Sequence, residues 1–504
     1  MQLQKIQTGI KLYDGQSIED VDSEENMCQY FEQVPIEIVA HIVHNLCLKD
    51  LFSFTETKKR FAQASVYFLE NNLNAQSELV KLYQSSRKCS IPLRYLQVCR
   101  TISSVHFYDK SRTEEEICSF LAQLSNLKKF SLCCEKALNV GVLSSLNGSE
   151  DSLEQLTLQF EELFLSSKTK VFLSFQNVHT LHVLANVSIK DFLLKSLMYA
   201  MPNLEMVQIT GRKQNRSEVD LAEIVNSFGS IRTICCSTSY VLLDLRKDFR
   251  EGYRKITRLE FSLCQSLDDQ MIKRIAKVCI SLKELTLEQC LNIEGSTLGH
   301  LASRCVQLES FACKSMWSLT ENSLTEFSKK VKNLKKVTFF RIDSLIDQHI
   351  LILALKNRTL ESVSIPHCSN ITESAVNTLA TYCSVLKFIS LSGLLSVNEH
   401  VIRNLFAKVK TIVGIEIDSI PNLSKVSYFS IASMGMGLKK LTISPEKKVK
   451  PKVLSSLFQR CRAIEHLQLR EIHSESSDFF IEWSKDLSCL KRLKLVRNSW
   501  VTDA

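Results

Sequence analysis

Glycine and proline are scarce in this chain: 13 Gly and 7 Pro among 504 residues, about 4 % together, where average usage gives roughly 12 %. Such scarcity excludes phosphate-cradling glycine loops and the many tight turns of an all-β fold. No apolar run approaches the 18 or so residues of a membrane-spanning helix. The start, Met1 to Gly9, has no apolar core of a secretory signal. A reducing compartment, cytoplasmic or nuclear, is therefore expected, with the 18 cysteines as thiols. Catalytic and metal motifs are lacking too. There is no C-x2-C pair, no G-x4-G-K-[ST], no H-E-x-x-H and no G-x-S-x-G. His182, His300, His367 and His466 stand without an evident nucleophile partner. No cofactor, no metal and no intrinsic active site are expected. The net charge of +9 comes without a basic block interleaved with aromatics, so nucleic acid is not an expected partner. Six Asn-x-Ser/Thr triplets, beginning at Asn147, Asn186, Asn215, Asn357, Asn370 and Asn422, are a pattern that chance produces often.

What the chain does have is 45 % hydrophobic residues, enough for a large core, arranged in a repeat. The pattern L-x-x-L-x-L, with an apolar residue at each Leu position, begins at Ile102, Leu127, Leu153, Val178, Leu204, Ile231, Ile256, Leu282, Leu308, Leu334, Leu360, Leu386, Ile412, Leu438, Ile464 and Leu490. The spacing is 25 to 27 residues at first and then 26 nine times in succession, which chance does not produce. Leu282, Leu285 and Leu287 end in the alternation of a short strand with one buried face. The second half of each unit is helical. Apolar residues recur at offsets 16, 19, 20 and 23, as in Leu298, Leu301, Ala302 and Cys305, or Val376, Leu379, Ala380 and Cys383, or Leu454, Leu457, Phe458 and Cys461. Asp268, Thr320, Thr372 and Thr502 at offset 12 suit helix N-caps. A strand plus a helix cannot bury its apolar face alone, so the units must stack as a solenoid, with strands on an inner wall. At roughly 4.8 Å per strand step, that wall runs on the order of 70 Å.

These residues resemble the leucine-rich-repeat family. Cys264, Cys290 and Cys368 at offset 8, with Cys99, Cys279, Cys305, Cys383 and Cys461 three residues before a strand, resemble its cysteine-containing subclass. The expected fold class is therefore α/β, a solenoid of about sixteen strand-helix repeats over residues 102–504, with residues 73–101 a helical linker before it.

Residues 1–26 are polar, with the acidic stretch Glu19 to Glu25, and read as a disordered tail. Residues 27–72 differ in character. Pro35 suits a helix start, Ile38, Ile42 and Leu46 follow at fourfold spacing, Asp50 can cap a short helix through Leu51 and Phe54, and a third helix runs through Phe61. A bundle this small has surplus apolar surface for a partner. The segment resembles an F-box: Val34-Pro35-Ile36-Glu37, the aliphatic helix from Ile38, Asp50-Leu51 and Arg60-Phe61 match that family's pattern, whereas its late Leu-Trp pair is replaced by Phe68-Leu69. The resemblance implies docking onto the Skp adaptor and, through it, onto cullin and RING subunits of a ubiquitin ligase. The chain would then be a non-catalytic substrate receptor. The alternative is a scaffold that binds protein without ubiquitin transfer.

Side chains alternate across a strand, so offsets 2, 4 and 6 should face the inner wall. Those positions carry Glu260, Glu284 and Glu288, then Glu416 and Asp418, then a basic end of Lys440, His466, Arg470, Arg492 and Lys494. The loop Lys447 to Lys452 lies close by in sequence. This end is the candidate seat for an acidic or phosphorylated protein segment. Phe340 and Phe388 on the same wall are candidate anchors.

Overall fold

The computed structural model describes residues 103–496, apart from the segments 109–113, 135–136, 166–172, 186–191, 212–217, 221–223, 226–227, 243–249, 445–450 and 472–484 and a few single positions. The expected tail, F-box and linker, with Thr502 and residues 447–450 of the lysine loop, lie outside the described residues; Pro451 and Lys452 begin a helix. Two compact units are present: the chain up to Ala185 with Asp191–Leu204, and Asn186–Lys190 with the chain from Glu205 onward.

In the first unit the strands Ser104–Tyr108, Lys129–Cys133, Gln155–Phe160 and Thr180–Ala185 pair in parallel, each beside the next. The second unit holds twelve such strands, from Met206–Thr210 to Arg492–Val496. Over its last ten strands the register advances by one repeat at each step, so that Leu259, Leu285, Phe311, Val337, Val363, Ile389, Ile415, Leu441, Leu467 and Leu493 form one column. Equivalent side chains thus stack at strand spacing, about 4.8 Å. Columns of Leu, Ile, Val and Phe are buried on one face. The helices Asp269–Val278, Glu321–Lys330, Glu373–Tyr382 and Pro451–Arg460, among others, bury theirs. All twelve offset residues named above for the three sample helices are buried. At about 1.5–3 kcal/mol for each large aliphatic side chain, the columns are the main stabilising term. This is the α/β architecture of a leucine-rich-repeat solenoid.

Local chemistry repeats with the same period. Asp268 accepts from Met271 N at 2.8 Å, Thr320 from Ser323 N at 3.2 Å and Thr372 from Ser374 N at 3.2 Å, capping their helices at offset 12 as expected. Asn398 and Ser424 do the same one and two repeats later. Two positions earlier, an amide or hydroxyl donates to the backbone of the preceding repeat. Asn370 Nδ2 donates to Asp343 O at 2.6 Å, Ser318 Oγ to Ile293 O at 2.6 Å, and Asn422 Nδ2 to Leu395 O. The triplets at Asn370 and Asn422 therefore arise from the repeat itself: an inter-repeat Asn at offset 10 and an N-cap Thr or Ser at offset 12.

A further regularity sits where each strand ends. Leu263, Gln289, Ser315, Arg341, His367, Gly393, Ser419 and Glu471, all at offset 7, have φ between 50° and 71°. This left-handed bend costs a non-glycine residue about 1–2 kcal/mol. It turns the N–H outward to the next repeat: Leu263 donates to Glu288 O at 2.8 Å, His367 to Ser392 O at 2.8 Å, Gly393 to Asp418 O at 2.9 Å.

One expectation fails in the first unit. The repeat beginning at Leu127 has no α-helix but a 3₁₀ segment, Val140–Ser149, beside a short parallel pair of Ala137–Asn139 with Glu162–Phe164. Gly141, Gly148 and four serines or asparagines make a poor α-helix. Val140, Leu143 and Leu146, spaced by three, bury one face only at three residues per turn.

Candidate functional site

Among the described residues the second unit presents one face of its sheet without a covering helix layer, and offsets 2, 4 and 6 lie on it, most of them exposed or half-buried, with Ser390, Ser392, Gly414, Asp418 and Thr442 among the buried exceptions. Reading by rows, the middle repeats offer short side chains: Ser310, Ala312, Thr338, Ser362, Ser364 and Ser390. Lys336 stands among them as well, and the other charges gather on either side of that strip.

The acidic residues expected here are engaged by cations on their own or an adjacent strand. Arg258 meets Glu260 at 3.2 Å and Glu284 at 3.4 Å, and Lys314 meets Glu288 at 3.2 Å. At the C-terminal end the expected group of five cations needs correction. Lys440 pairs with Glu416 at 2.8 Å, and Arg470 with Asp418 at 3.3 Å. Arg470 does so by reaching past the intervening strand Lys440–Ile443, after which the small residue Ser444 follows. Asp418 is buried, accepts from Ser392 Oγ and is thereby a structural carboxylate. Two of the five cations are thus already compensated.

The remaining three, His466, Arg492 and Lys494, lie together. His466 pairs in register with Arg492, and Gln468 with Lys494. With Glu416, Lys440, Thr442, Leu441 and Leu467 they line a depression of about 420 Å³, open to solvent. Arg492 and Lys494 have no carboxylate partner among the described residues. The sequence reading did not single out Gln468 and Thr442, though both stand at offset 4 and so share the marked rows.

The two candidate aromatics are half-buried and occupied differently. Phe388 lies beside Gly414, whose absent side chain leaves room for it: a Cβ there would stand 2.8 Å from the ring. The Lys440 ammonium sits 4.7 Å above the same ring. A cation over an aromatic face is worth about 0.5–1 kcal/mol at an exposed site. Phe340 meets the His367 ring edge-on at 5.7 Å and carries the Arg341 guanidinium at 5.2 Å. Burial first, then Arg341 and Arg470, hold His367 below the ordinary imidazole value against the pull of Asp418. Phe340 therefore belongs to a packed cluster with His367 and Arg341, and Phe388 to one with Lys440 and the Gly414 backbone.

Most of the described cysteines are core groups, Cys489 being exposed and Cys118 half-buried. Those at helix ends, Cys279, Cys305, Cys383 and Cys461, are buried; burial pushes Cys305 and Cys461 up to about 11 and Cys383 up to about 12. Such thiols stay protonated and unreactive. Among the described residues no group of three or more His, Cys, Asp or Glu could hold a metal ion, and no helix is long and apolar enough to cross a membrane.

No family model matches this chain, and no curated protein does. Solved structures do. Rad7 in complex with Elc1 from yeast is similar at 17 % identity over 84 % of this chain and 98 % of that one, with a TM-score of 0.43. An internalin of Listeria monocytogenes is similar at 13 % identity over 87 % and 98 %, with a TM-score of 0.33. The leucine-rich repeat-containing protein LegL7 of Legionella pneumophila is similar at 12 % identity over 51 % and 89 %, with a TM-score of 0.35.

Proposed function

We propose that this chain is the substrate-recognition subunit of an SCF-type ubiquitin ligase. The observation that carries the reading is the joining, in one chain, of a segment resembling an F-box, with Val34, Pro35, Glu37, Asp50, Leu51 and Phe61 at the pattern positions, to a leucine-rich solenoid that presents an uncovered polar sheet face. The first would dock the Skp adaptor through Pro35, the aliphatic residues Ile38, Ile42 and Leu46, and the Leu51-Phe54 turn. The second would hold a protein substrate. Such a subunit supplies no catalytic group; it raises the effective concentration of a substrate lysine beside a charged conjugating enzyme. The cysteine-containing subclass of the repeat belongs to the same reading. A cytoplasmic or nuclear setting goes with it.

Proximity labelling in intact cells tests this. Proteins labelled by the wild-type chain should accumulate on it when the proteasome is inhibited, and a Pro35→Ala, Leu51→Ala double variant should lose that response while labelling the same proteins. A set that the proteasome inhibitor does not change would favour the scaffold instead.

A further inference from the structure

We propose that the depression at the C-terminal end of the open face seats the phosphate of a phosphoserine or phosphothreonine in an extended protein segment. The proposal takes from the ligase reading only that this face captures protein, so either can fail while the other stands.

Charge accounting across the rows points to this place. Along the open face the carboxylates at offsets 2, 4 and 6 pair with a cation on their own or a nearby strand, and Glu416 is held by Lys440 at 2.8 Å. Among the described residues Arg492 and Lys494 have no carboxylate partner, and His466 stands beside Arg492 in register. Strand spacing puts His466 and Arg492 about 4.8 Å apart along their row, and Lys494 lies two residues further, about 6.6 Å along its strand. The three side chains thus start from neighbouring positions on two adjacent strands and line one depression.

The chemistry of that anion follows from the count. A carboxylate brings one charge and two oxygens and would leave a cation unmatched. A phosphate monoester brings close to two charges and three acceptor oxygens, which matches Arg492 and Lys494 in charge and all three side chains in number. Glu416, fixed by Lys440, forms the opposite wall and repels an acidic residue placed beyond the phosphate. The short side chain of Thr442 and the shallow opening admit an extended backbone rather than a helix. The Phe388 ring, two strands beyond Lys440, offers an apolar contact to the same segment, about five residues from the phosphate at 3.3 Å per residue.

The test uses the full chain and three fluorescein-labelled peptide pools, degenerate on both sides of a fixed phosphoserine, a fixed serine or a fixed glutamate, read by fluorescence anisotropy at physiological salt. The phosphoserine pool should bind at least about tenfold more tightly than either of the others. Arg492→Gln with Lys494→Gln should remove that preference, while Lys332→Gln, an exposed lysine beyond the helix Glu321–Lys330, should keep it. Thermal unfolding of each variant guards against misfolding, and Arg492→Lys, which keeps the charge, should retain most of the binding. Equal binding of the three pools, equal binding of the phosphoserine and glutamate pools, or an unchanged preference in the double variant overturns the proposal. So does preferential binding of a single-stranded RNA oligonucleotide that displaces the phosphopeptides.

Discussion

Substituting Gly393 by alanine isolates how the strand ends on the open face hold together. Two costs meet there. The left-handed backbone, φ 71°, is adopted by non-glycine residues at the same offset in the neighbouring repeats, so a Cβ alone costs about 1 kcal/mol. The second cost is steric. A Cβ on Gly393 would stand 2.1 Å from His367 Nδ1, 2.5 Å from Cε1 and 2.9 Å from Cγ, inside the ring rather than beside it. His367 cannot simply turn away, since its ring packs edge-on against Phe340, which is itself held under Arg341. Overpacking of this kind costs about 1–3 kcal/mol, giving a total of roughly 2–4 kcal/mol for Gly393→Ala. Urea unfolding followed by circular dichroism measures it, with hydrogen exchange of the amides from Phe340 to Asp418 locating the loss. In a His367→Ala background the steric part vanishes, and the same substitution should cost only about 1 kcal/mol. If Gly393→Ala costs equally in both backgrounds, within about 0.5 kcal/mol, the account of this cluster is wrong.

Four further outcomes are expected. Val413 interrupts an alternation of Lys and Glu at offset 1, in which Lys387 pairs with Glu361 at 2.9 Å and Lys439 with Glu465 at 3.2 Å; Val413→Glu, set between Lys387 and Lys439, should stabilise by about 0.5 kcal/mol in urea unfolding, and the gain should disappear in molar salt. Asn370→Ala removes an inter-repeat hydrogen bond and Thr372→Ala a helix cap, so each should lower stability by about 1 kcal/mol. His349 is buried, takes the Ile346 N–H on Nδ1 at 3.1 Å, and has Nε2 3.1 Å from Glu321 O. Burial holds it below the ordinary value of 6.5, so the folded state disfavours its proton: stability is full above about pH 6.5 and falls as pH drops from there toward the folded value, and His349→Gln should flatten that slope.

The period of the solenoid was legible because burial writes it in the sequence: Leu282, Leu285 and Leu287 mark a strand, and Leu298, Leu301 and Ala302 a helix face, wherever they recur. Offset 12 was legible for the same reason, since only Asp, Thr, Ser or Asn caps well. The bend at offset 7 was not, because Leu263, Gln289, Arg341 and His367 share no chemistry; their N–H groups, which every residue type carries, make the contact. Nor does composition reveal that Val140–Ser149 winds as 3₁₀, although the spacing of Val140, Leu143 and Leu146 carries the signal. At the site, alternation placed Lys440, His466, Arg470, Arg492 and Lys494 on one face. It could not show that Lys440 and Arg470 are taken by Glu416 and Asp418, because Arg470 reaches two strands away past Lys440–Ile443, and pairing at that distance depends on the intervening side chains.

The central claim is that the chain joins a ubiquitin ligase through residues 27–72. Co-purification of the full chain with the Skp adaptor at matched expression tests it directly, comparing wild type with the Pro35→Ala, Leu51→Ala variant. Wild type should retain the adaptor in stoichiometric amount and the variant should lose it, with unfolding of the solenoid unchanged. A wild-type chain that folds and yet brings down no adaptor would contradict the claim and leave a leucine-rich scaffold in its place.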